Sequence, residues 1–283
     1  MMIHKGATMN ITSPNTGLCR FCKREFSSRS IGRHLLACPE KKARDTQELE
    51  QAATVGSIYH LRLNSWRSFY WVHIEMAGQK TLYDLDAFIR NLWVECCSHL
   101  SEFEINDQIY RVNLFAEWSE ENSEIDDFEI EIEHTASNDD AFEFFSMDIE
   151  SLFIKPSKVN IPIQHVLKQG TEFEYVYDFG SSTDLTGKVI NVRQGPADTG
   201  IRILARNAPY NVLCEKCQKS RADAVCMYCF DALCPRCQRR HECEQSGETF
   251  LPLVNSPRVG VCGYTGDNQP YADPDESKFI PSA

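Results

Sequence analysis

Hydrophobic and polar residues alternate along the middle of the chain, as they do in β-strands that bury one face. Residues 58–63 and 69–76 both follow this alternation, which predicts two strands. Directly afterwards, apolar residues recur at helical spacing between Leu82 and Trp93, and Thr81 stands where a helix N-cap is favoured. The pattern therefore predicts two strands followed by a helix whose apolar face packs on them.

More strands are predicted farther along the chain. The Asn106-Asp107 pair separates residues 100–105 from 108–114, which indicates a hairpin. A short helix is expected over 162–168, ended by Gly170, and strands are expected over 172–179, 186–193 and 201–205. Residues 128–132 also alternate, inside an acidic stretch whose class stays open. Because strands outnumber helices and hairpins join neighbours, we predict an α+β fold with an antiparallel or mixed sheet and helices on one side.

The C-terminal part carries the densest chemical motif, three CxxC pairs followed by a His-x-Cys pair. Its members are Cys214, Cys217, Cys226, Cys229, Cys234, Cys237, His241 and Cys243. A CxxC turn aims two sulfurs at one metal, and eight nitrogen and sulfur ligands are what two closed tetrahedral zinc sites require. The spacing therefore predicts a small module held by two zinc ions.

The pairing of these ligands follows from the gaps between them. Only four residues separate Cys229 from Cys234, which favours an interleaved arrangement. The first and third CxxC pairs would hold one ion, and the second pair with His241 and Cys243 the other. The spacing also resembles the cross-braced B-box and HIT-type zinc fingers, and this resemblance supports the interleaving more strongly. Cys262, in a Cys-Gly-Tyr sequence, is an alternative eighth ligand to Cys243 or His241.

A second metal motif lies near the N-terminus, where Cys19, Cys22, His34 and Cys38 have the spacing of a Cys-Cys-His-Cys zinc finger. A helix over residues 30–37 would place His34 and Cys38 one turn apart on one face, as ligands of one metal must be. Phe26 and Ile31 would form the apolar core of the finger, with Phe26 one residue closer to the histidine than in fingers with two Cys and two His ligands. So small a unit depends on metal for its stability.

The alternatives to zinc are disulfides, an iron–sulfur cluster and, for the finger, a chance cysteine pair in a flexible tail. The first residues contain no apolar signal segment, and no apolar run is long enough to span a membrane. We therefore expect a cytoplasmic protein without membrane association, in which clustered thiols bind metal. About three zinc ions per chain are expected. Cys96 and Cys97 are interpreted as core or near-core residues without a chemical role.

The central part resembles a known family. The residues that carry the resemblance are Ile58-Tyr59-His60-Leu61-Arg62, Trp71, Thr81-Leu82-Tyr83-Asp84-Leu85, Leu92-Trp93, His99-Leu100, Phe103, Val166-Leu167-Lys168-Gln169-Gly170 and Tyr175-Val176-Tyr177-Asp178-Phe179-Gly180. Together they are similar to the plasmid open-reading-frame-three-like family, first named from an Ri plasmid, over roughly residues 56–206. The resemblance implies an α+β fold with a curved sheet, and it offers no established activity, catalytic residue or ligand that could be carried over to this chain.

This chain departs from the family at one place. After Asp178-Phe179-Gly180 the family usually has an acidic pair, a tryptophan and a nearby histidine, where this chain has Ser181, Ser182, Thr183 and Leu185. We therefore expect no polar site built on that segment.

The sequence thus divides into a disordered leader (1–17), a zinc finger (18–44), an α+β domain (55–207), a cross-braced double-zinc module (210–264) and a flexible tail (265–283). A charged, helix-prone linker joins the finger to the α+β domain. If these units fold separately, serine at Cys19 unfolds only the finger.

Charge is distributed unevenly. The formal net charge of −12 argues against a protein that coats nucleic acid non-specifically, and much of the acid lies between residues 102 and 150. The finger is basic, and its candidate phosphate contacts are Arg20, Lys23, Arg24, Arg29 and Arg33. One finger reads about three base pairs, so it would need a partner for specific recognition.

No catalytic motif occurs: the chain lacks a Gly-x-Ser-x-Gly elbow, a P-loop, a dinucleotide fingerprint and a His-Glu-x-x-His pair. We therefore expect no enzyme activity. The sequence favours a zinc-binding interaction or adaptor protein that docks a protein partner. One alternative is a nucleic-acid-binding factor, associated with transcription or a mobile element, that uses the basic finger. A second is an enzyme with its site in the cleft of the central domain.

Overall fold

The computed structural model describes residues 15–65, 69–112, 158–243 and 250–266. Most of the predicted leader and tail lies outside these residues, as does the whole alternating segment 128–132.

Nine strands of the described chain form one sheet in which every neighbouring pair is antiparallel. They are β1 (Thr16–Cys19), β2 (Glu25–Ser27), β3 (Val55–Ser65), β4 (Trp71–Ala77), β5 (Ser101–Ile105), β6 (Gln108–Val112), β7 (Glu172–Tyr177), β8 (Thr183–Pro196) and β9 (Arg202–Asn207). Their order across the sheet is β2-β1-β9-β4-β3-β8-β7-β5-β6. The predicted α+β class with an antiparallel sheet is confirmed.

The helices within the described ranges are short. They are α1 (Ile31–Ala37), α2 (Pro39–Glu50), α3 (Leu82–Ile89) and α4 (Pro235–Gln238). Thr81 caps α3 in a capping box with Asp84, and α3 continues into a π-helical turn over Arg90–Val94. The helix predicted over 162–168 is only a 3₁₀ turn, Ile163–His165, because this segment bonds across to the loop before α3, with Ile163 N donating to Lys80 O.

The main core lies between the sheet and α3. Alternate residues of β4, Val72, Ile74 and Met76, point into it together with Leu85 and Phe88 of α3. All five side chains are buried. Because side chains alternate across a strand, Trp71, His73 and Glu75 project from the opposite face. The helix predicted to pack on one side of the sheet is therefore α3.

The finger covers the opposite face and extends the sheet. Strand β1 pairs with β9, with Cys19 opposite Ala205, and Ile31 and Leu35 of α1 pack against Trp71. Gly17 of β1 comes so close to the backbone of β9 that a Cβ would collide with it. The charged linker is helix α2, which begins at Pro39 and lies on the sheet. The finger is thus continuous with the α+β domain.

The C-terminal residues form a second, three-stranded sheet of β10 (Ala224–Cys226), β11 (Ala232–Leu233) and β12 (Phe250–Pro252), in the order β11-β10-β12. The chain then returns to the main domain, where Ser256 Oγ donates to Trp93 O at 2.5 Å and Arg258 is fully buried. None of the helices in the described ranges is long and apolar enough to cross a membrane.

Candidate metal centres

Three of the four CxxC pairs fold into the same tight turn. In each, the carbonyl of the first cysteine accepts the N–H of the residue four positions later, and that residue has a positive φ. The pairs are Cys19 with Lys23 (2.9 Å, φ 58°), Cys214 with Gln218 (2.8 Å, φ 54°) and Cys226 with Phe230 (3.0 Å, φ 62°). Cys234 and Cys237 instead span the first turn of α4, where Gln238 N donates to Cys234 O at 3.0 Å.

The four predicted ligands of the finger meet at one point. The ligand atoms of Cys19, Cys22, His34 and Cys38 all lie within 4.8 Å of one another. Cys19 Sγ is 3.9 Å from Cys38 Sγ, and Cys22 Sγ is 3.3 Å from His34 Nε2. A tetrahedral zinc ion separates two sulfur ligands by about 3.8 Å, and sulfur and nitrogen ligands by about 3.6 Å. The observed distances match this geometry.

The histidine of the finger is held in a metal-binding form. Its ring stacks on Phe26 with 3.8 Å between ring centroids. Burial and the nearby charge of Arg24 lower the pKa of His34, which favours the neutral imidazole. Neutral imidazole is the form that binds metal ions.

The first C-terminal cluster joins Cys214, Cys217, Cys234 and Cys237. Cys217 Sγ lies 4.0 Å from Cys234 Sγ. The backbone N–H groups of Lys219 and Ser220 lower the pKa of Cys217 to about 6, so this sulfur ionises easily. Burial, hydrogen bonds with the neighbouring thiols and, last, repulsion by the charge of Cys214 raise the pKa of Cys237 to about 12. A bound cation removes that repulsion.

The second C-terminal cluster joins Cys226, Cys229, His241 and Cys243. Cys229 Sγ lies 3.5 Å from His241 Nε2, and Phe250 of β12 packs edge-on against the histidine ring. The structure therefore brings the predicted ligands together in the interleaved arrangement, and the residue that meets His241 is Cys243.

Cys262 lies elsewhere. Its Sγ is 4.0 Å from Cys97 Sγ and 3.3 Å from His99 Nε2, and Cys96 completes a group of four within 4.8 Å. Cys97 is exposed, against our expectation of a core or near-core residue. The sequence marked Cys262 as a candidate zinc ligand but gave no signal for its partners, because the two halves of the group are far apart along the chain.

All thirteen cysteines of the chain fall into these four clusters, together with three of its eight histidines. All thirteen are free thiols. Disulfide sulfurs lie about 2.05 Å apart, far closer than the sulfurs here. The clusters can hold metal ions and are not disulfides.

The basic residues of the finger lie at its surface. Lys23, Arg24, Arg29 and Arg33 are exposed, whereas Arg20 is partly buried. Arg33 projects from α1 on the side away from the residues that pack on the sheet. Lys23 and Arg24 lie in the first knuckle turn, and Arg29 in the turn before α1.

Two of the buried polar groups in the described chain involve strands of the main sheet. One joins Lys41, Glu75 and the His60–His73 pair. In the other, Asp86 Oδ1 accepts from Tyr175 Oη at 2.8 Å. Neither lines the open cleft of about 470 Å³, which lies over β3, β5, β7 and β8 and is bordered by Arg62, Asn64, Glu104, Asn106, Asp107, Glu172, Phe173, Glu174, Thr186, Gly187 and Lys188.

Asp178 has surroundings that the sequence did not indicate. It accepts the N–H groups of Gly180 and Ser181, and Arg258 Nη2 donates to its Oδ2 at 2.6 Å. Burial opposes ionisation, but these bonds hold the pKa of Asp178 below its usual value. A buried ion pair between Asp178 and Arg258 therefore lies directly before the segment 181–185.

No protein-family model matches this chain, and no curated protein matches it. One similar solved structure is a protein of unknown function from Methanosarcina mazei Go1. It is 14% identical, with 54% of this chain and 68% of that chain covered and a TM-score of 0.33. At that TM-score the likeness carries no argument, so the functional case depends on the ligand geometry.

Proposed function

We propose that this chain is a zinc-binding interaction or adaptor protein whose zinc sites in the finger and the C-terminal module are structural. The observation that carries the proposal is that each of these three clusters supplies four protein ligands. A site with four protein ligands has no open position for a reacting water, whereas catalytic zinc keeps one. The role of the metal is then to hold small units in shape.

The donor atoms favour zinc over other ions. Cysteine sulfur and imidazole nitrogen in tetrahedral groups are typical zinc ligands, and iron–sulfur clusters are usually held by cysteines alone. Two of the three clusters contain a histidine. The tightly folded knuckle turns support the same assignment, since they place paired sulfurs on one ion.

The adaptor role rests on resemblance. The interleaved C-terminal ligands resemble those of B-box and HIT-type fingers, which suggests a protein-docking module. The central domain resembles the plasmid open-reading-frame-three-like family, for which we know no activity. We assign no catalytic step to the chain.

Metal analysis tests the zinc assignment. Protein purified without added metal is expected to contain zinc at the finger and at both C-terminal clusters. Chelation should then increase proteolytic cleavage within residues 210–243. Purified protein that is folded and contains no zinc, or contains iron instead, would overturn the proposal.

Affinity purification of the tagged full-length chain tests the adaptor role. Cys214→Ser removes a ligand of the C-terminal module, and Cys19→Ser removes one from the finger, so each variant controls for the other. A protein partner lost with Cys214→Ser and retained with Cys19→Ser is the expected result. Partners retained by both variants would argue against docking through the C-terminal module.

A nucleic-acid role is the second candidate, favoured by the four exposed basic residues of the finger. Its test is fluorescence anisotropy with duplex and single-stranded oligonucleotides at low and high salt. Binding that falls steeply with salt and is lost in Arg29→Gln/Arg33→Gln would favour this role. The matched control is Arg239→Gln/Arg240→Gln, which removes the same charge from exposed positions in the C-terminal module.

A further inference from the structure

We propose that Cys96, Cys97, His99 and Cys262 form a fourth zinc site, which fastens the C-terminal end of the cross-braced module to the α+β domain. The inference rests on the zinc chemistry proposed for the other three sites. Three cysteines and one histidine make a ligand set found in structural zinc sites. Its ligand atoms all lie within 4.8 Å of one another, as in the other clusters.

The distances within this site reproduce those of the finger. Cys97 Sγ and Cys262 Sγ are 4.0 Å apart, compared with 3.9 Å for the corresponding sulfurs of the finger. His99 Nε2 lies 3.3 Å from Cys262 Sγ, the same sulfur–nitrogen distance as in the finger. His99 Nε2 is also 3.6 Å from Asp178 Oδ2, but the sulfur is closer. The ligand atoms are therefore spaced as a tetrahedral ion requires.

The first arm of the site is held in place without metal. It follows the π-helical turn at the end of α3, a feature common at functional sites. The hydroxyl oxygen of Tyr177 accepts the N–H groups of Cys96 and His99 at 3.4 and 3.3 Å. Arg90 Nη2 donates to His99 O at 2.8 Å. These bonds fix the loop from which three ligands project.

The second arm is held by Arg258, which precedes Cys262 and is fully buried. Its Nη2 donates to Asp178 Oδ2 at 2.6 Å, and its Nη1 to Thr183 Oγ1 at 3.0 Å. Its Nε donates to Cys96 Sγ at 3.3 Å. A guanidinium that donates to a ligand sulfur stabilises the thiolate form, which is the form that binds the metal. Hydrogen bonds of this kind, from a second layer of residues to the ligands, are common at metal sites.

The site differs from the other three in its accessibility. Each of the other clusters contains two buried ligands, whereas none of the four ligands here is buried, and Cys97 and Cys262 are exposed. Cys97 and Cys262 are also separated by 165 residues, so the metal would join distant parts of the chain. We therefore expect this zinc to be the first that a chelator removes.

Native mass spectrometry of the full chain tests the proposal by counting zinc ions. The expected result is about four ions in the wild type and about three in Cys97→Ser/Cys262→Ser, with about four in the control Thr265→Ala. An equal count in wild type and double variant overturns the fourth site. If the wild type holds only three zinc ions and its metal-free mass is two hydrogens below that of the fully reduced chain, Cys97 and Cys262 form a disulfide instead. If the wild type, the double variant and the control all lack zinc, the proposed function itself is overturned.

Alkylation of the wild type gives a second test that does not depend on the folding of a variant. In the zinc-loaded protein, Cys97 and Cys262 should resist iodoacetamide despite their exposure. With increasing chelator they should react before Cys214 and Cys226, which are buried. Immediate modification of Cys97 and Cys262 in protein carrying its full zinc complement would overturn the proposal.

Discussion

Lys41 Nζ lies 2.7 Å from Glu75 Oε1, and this ion pair joins helix α2 to the centre of the main sheet. Both side chains are buried. Arg193 and Arg202 also donate to Glu75 Oε2, at 2.9 and 2.7 Å. Burial opposes ionisation of Glu75, but Arg193 and Lys41 hold its pKa well below the usual range. Helix α2, which follows the finger, is therefore attached to the sheet by a buried, negatively charged carboxylate surrounded by cations.

Replacing Glu75 with glutamine should destabilise the protein strongly. The substitution removes the buried charge that Lys41, Arg193 and Arg202 share. Breaking a buried ion pair typically destabilises by about 3–5 kcal/mol, and this is an upper limit here because all three cations also pair with Asp45. The matched control is Glu172→Gln, because the Glu172–Lys188 pair is exposed and should contribute less than about 1 kcal/mol. Urea unfolding monitored by circular dichroism measures both. Equal losses in the two variants would show that the buried network is not important for stability.

Loss of the metal from the finger should also destabilise the edge of the main sheet next to it. The sequence alone predicts that Cys19→Ser unfolds only the finger, but β1 pairs with β9 and Arg20 N donates to Leu204 O at 3.0 Å. We now expect Cys19→Ser to speed amide hydrogen exchange in β9, which loses its neighbour on that edge. Strand β7 does not touch the finger and serves as the internal control. Fast exchange confined to residues 15–38 would restore the view of an independent finger.

The parts predicted from sequence are those with local signals. The N-cap at Thr81, the hairpin turn at Asn106 and the α+β class all follow from short patterns, and the structure has them. The ligand groups of the finger and the C-terminal module are local in the same sense, since each group spans fewer than thirty residues. Turns, hairpins and short helices within each segment bring such ligands close together.

The parts that could not be predicted depend on contacts between distant segments. Cys97 and Cys262 meet only because the chain after β12 returns to the loop that follows α3, and the spacing of the residues says nothing about that return. The docking of the finger is similar. In the sequence, Glu75 is only one polar position in an alternating strand. The folded chain shows that Lys41 donates a hydrogen bond to it.

Acidification should destabilise the protein through a buried histidine pair. His60 Nε2 lies 2.8 Å from His73 Nδ1. Burial lowers the pKa of His60 to about 4. The charges of Lys41 and Arg193 lower this pKa further, whereas the charge of Glu75 raises it. Burial also lowers the pKa of His73 well below its usual value, with His60 and Arg62 adding to the effect. The folded state therefore keeps both rings neutral.

The direction of the effect follows from proton uptake. Below about pH 6.5 the unfolded chain protonates these histidines, but folded His60 stays neutral until about pH 4. The free energy of unfolding should therefore fall as pH drops through this window, by up to roughly 1.4 kcal/mol per pH unit for each histidine. Urea unfolding with excess zinc at about pH 7.5 and about 5.5 measures the slope. A slope unchanged in His60→Gln would contradict this origin.

The identity of the eighth ligand in the C-terminal module can be settled by comparing two serine variants. Cys243 lies with Cys226, Cys229 and His241, whereas Cys262 lies with the loop after α3. Cys243→Ser should therefore expose Cys226 and Cys229 to iodoacetamide, because their metal loses one of four ligands. Cys262→Ser should leave both protected, and peptide mapping by mass spectrometry distinguishes the two outcomes. Deprotection of Cys226 by Cys262→Ser, with no effect of Cys243→Ser, would reverse the assignment and make Cys262 the ligand.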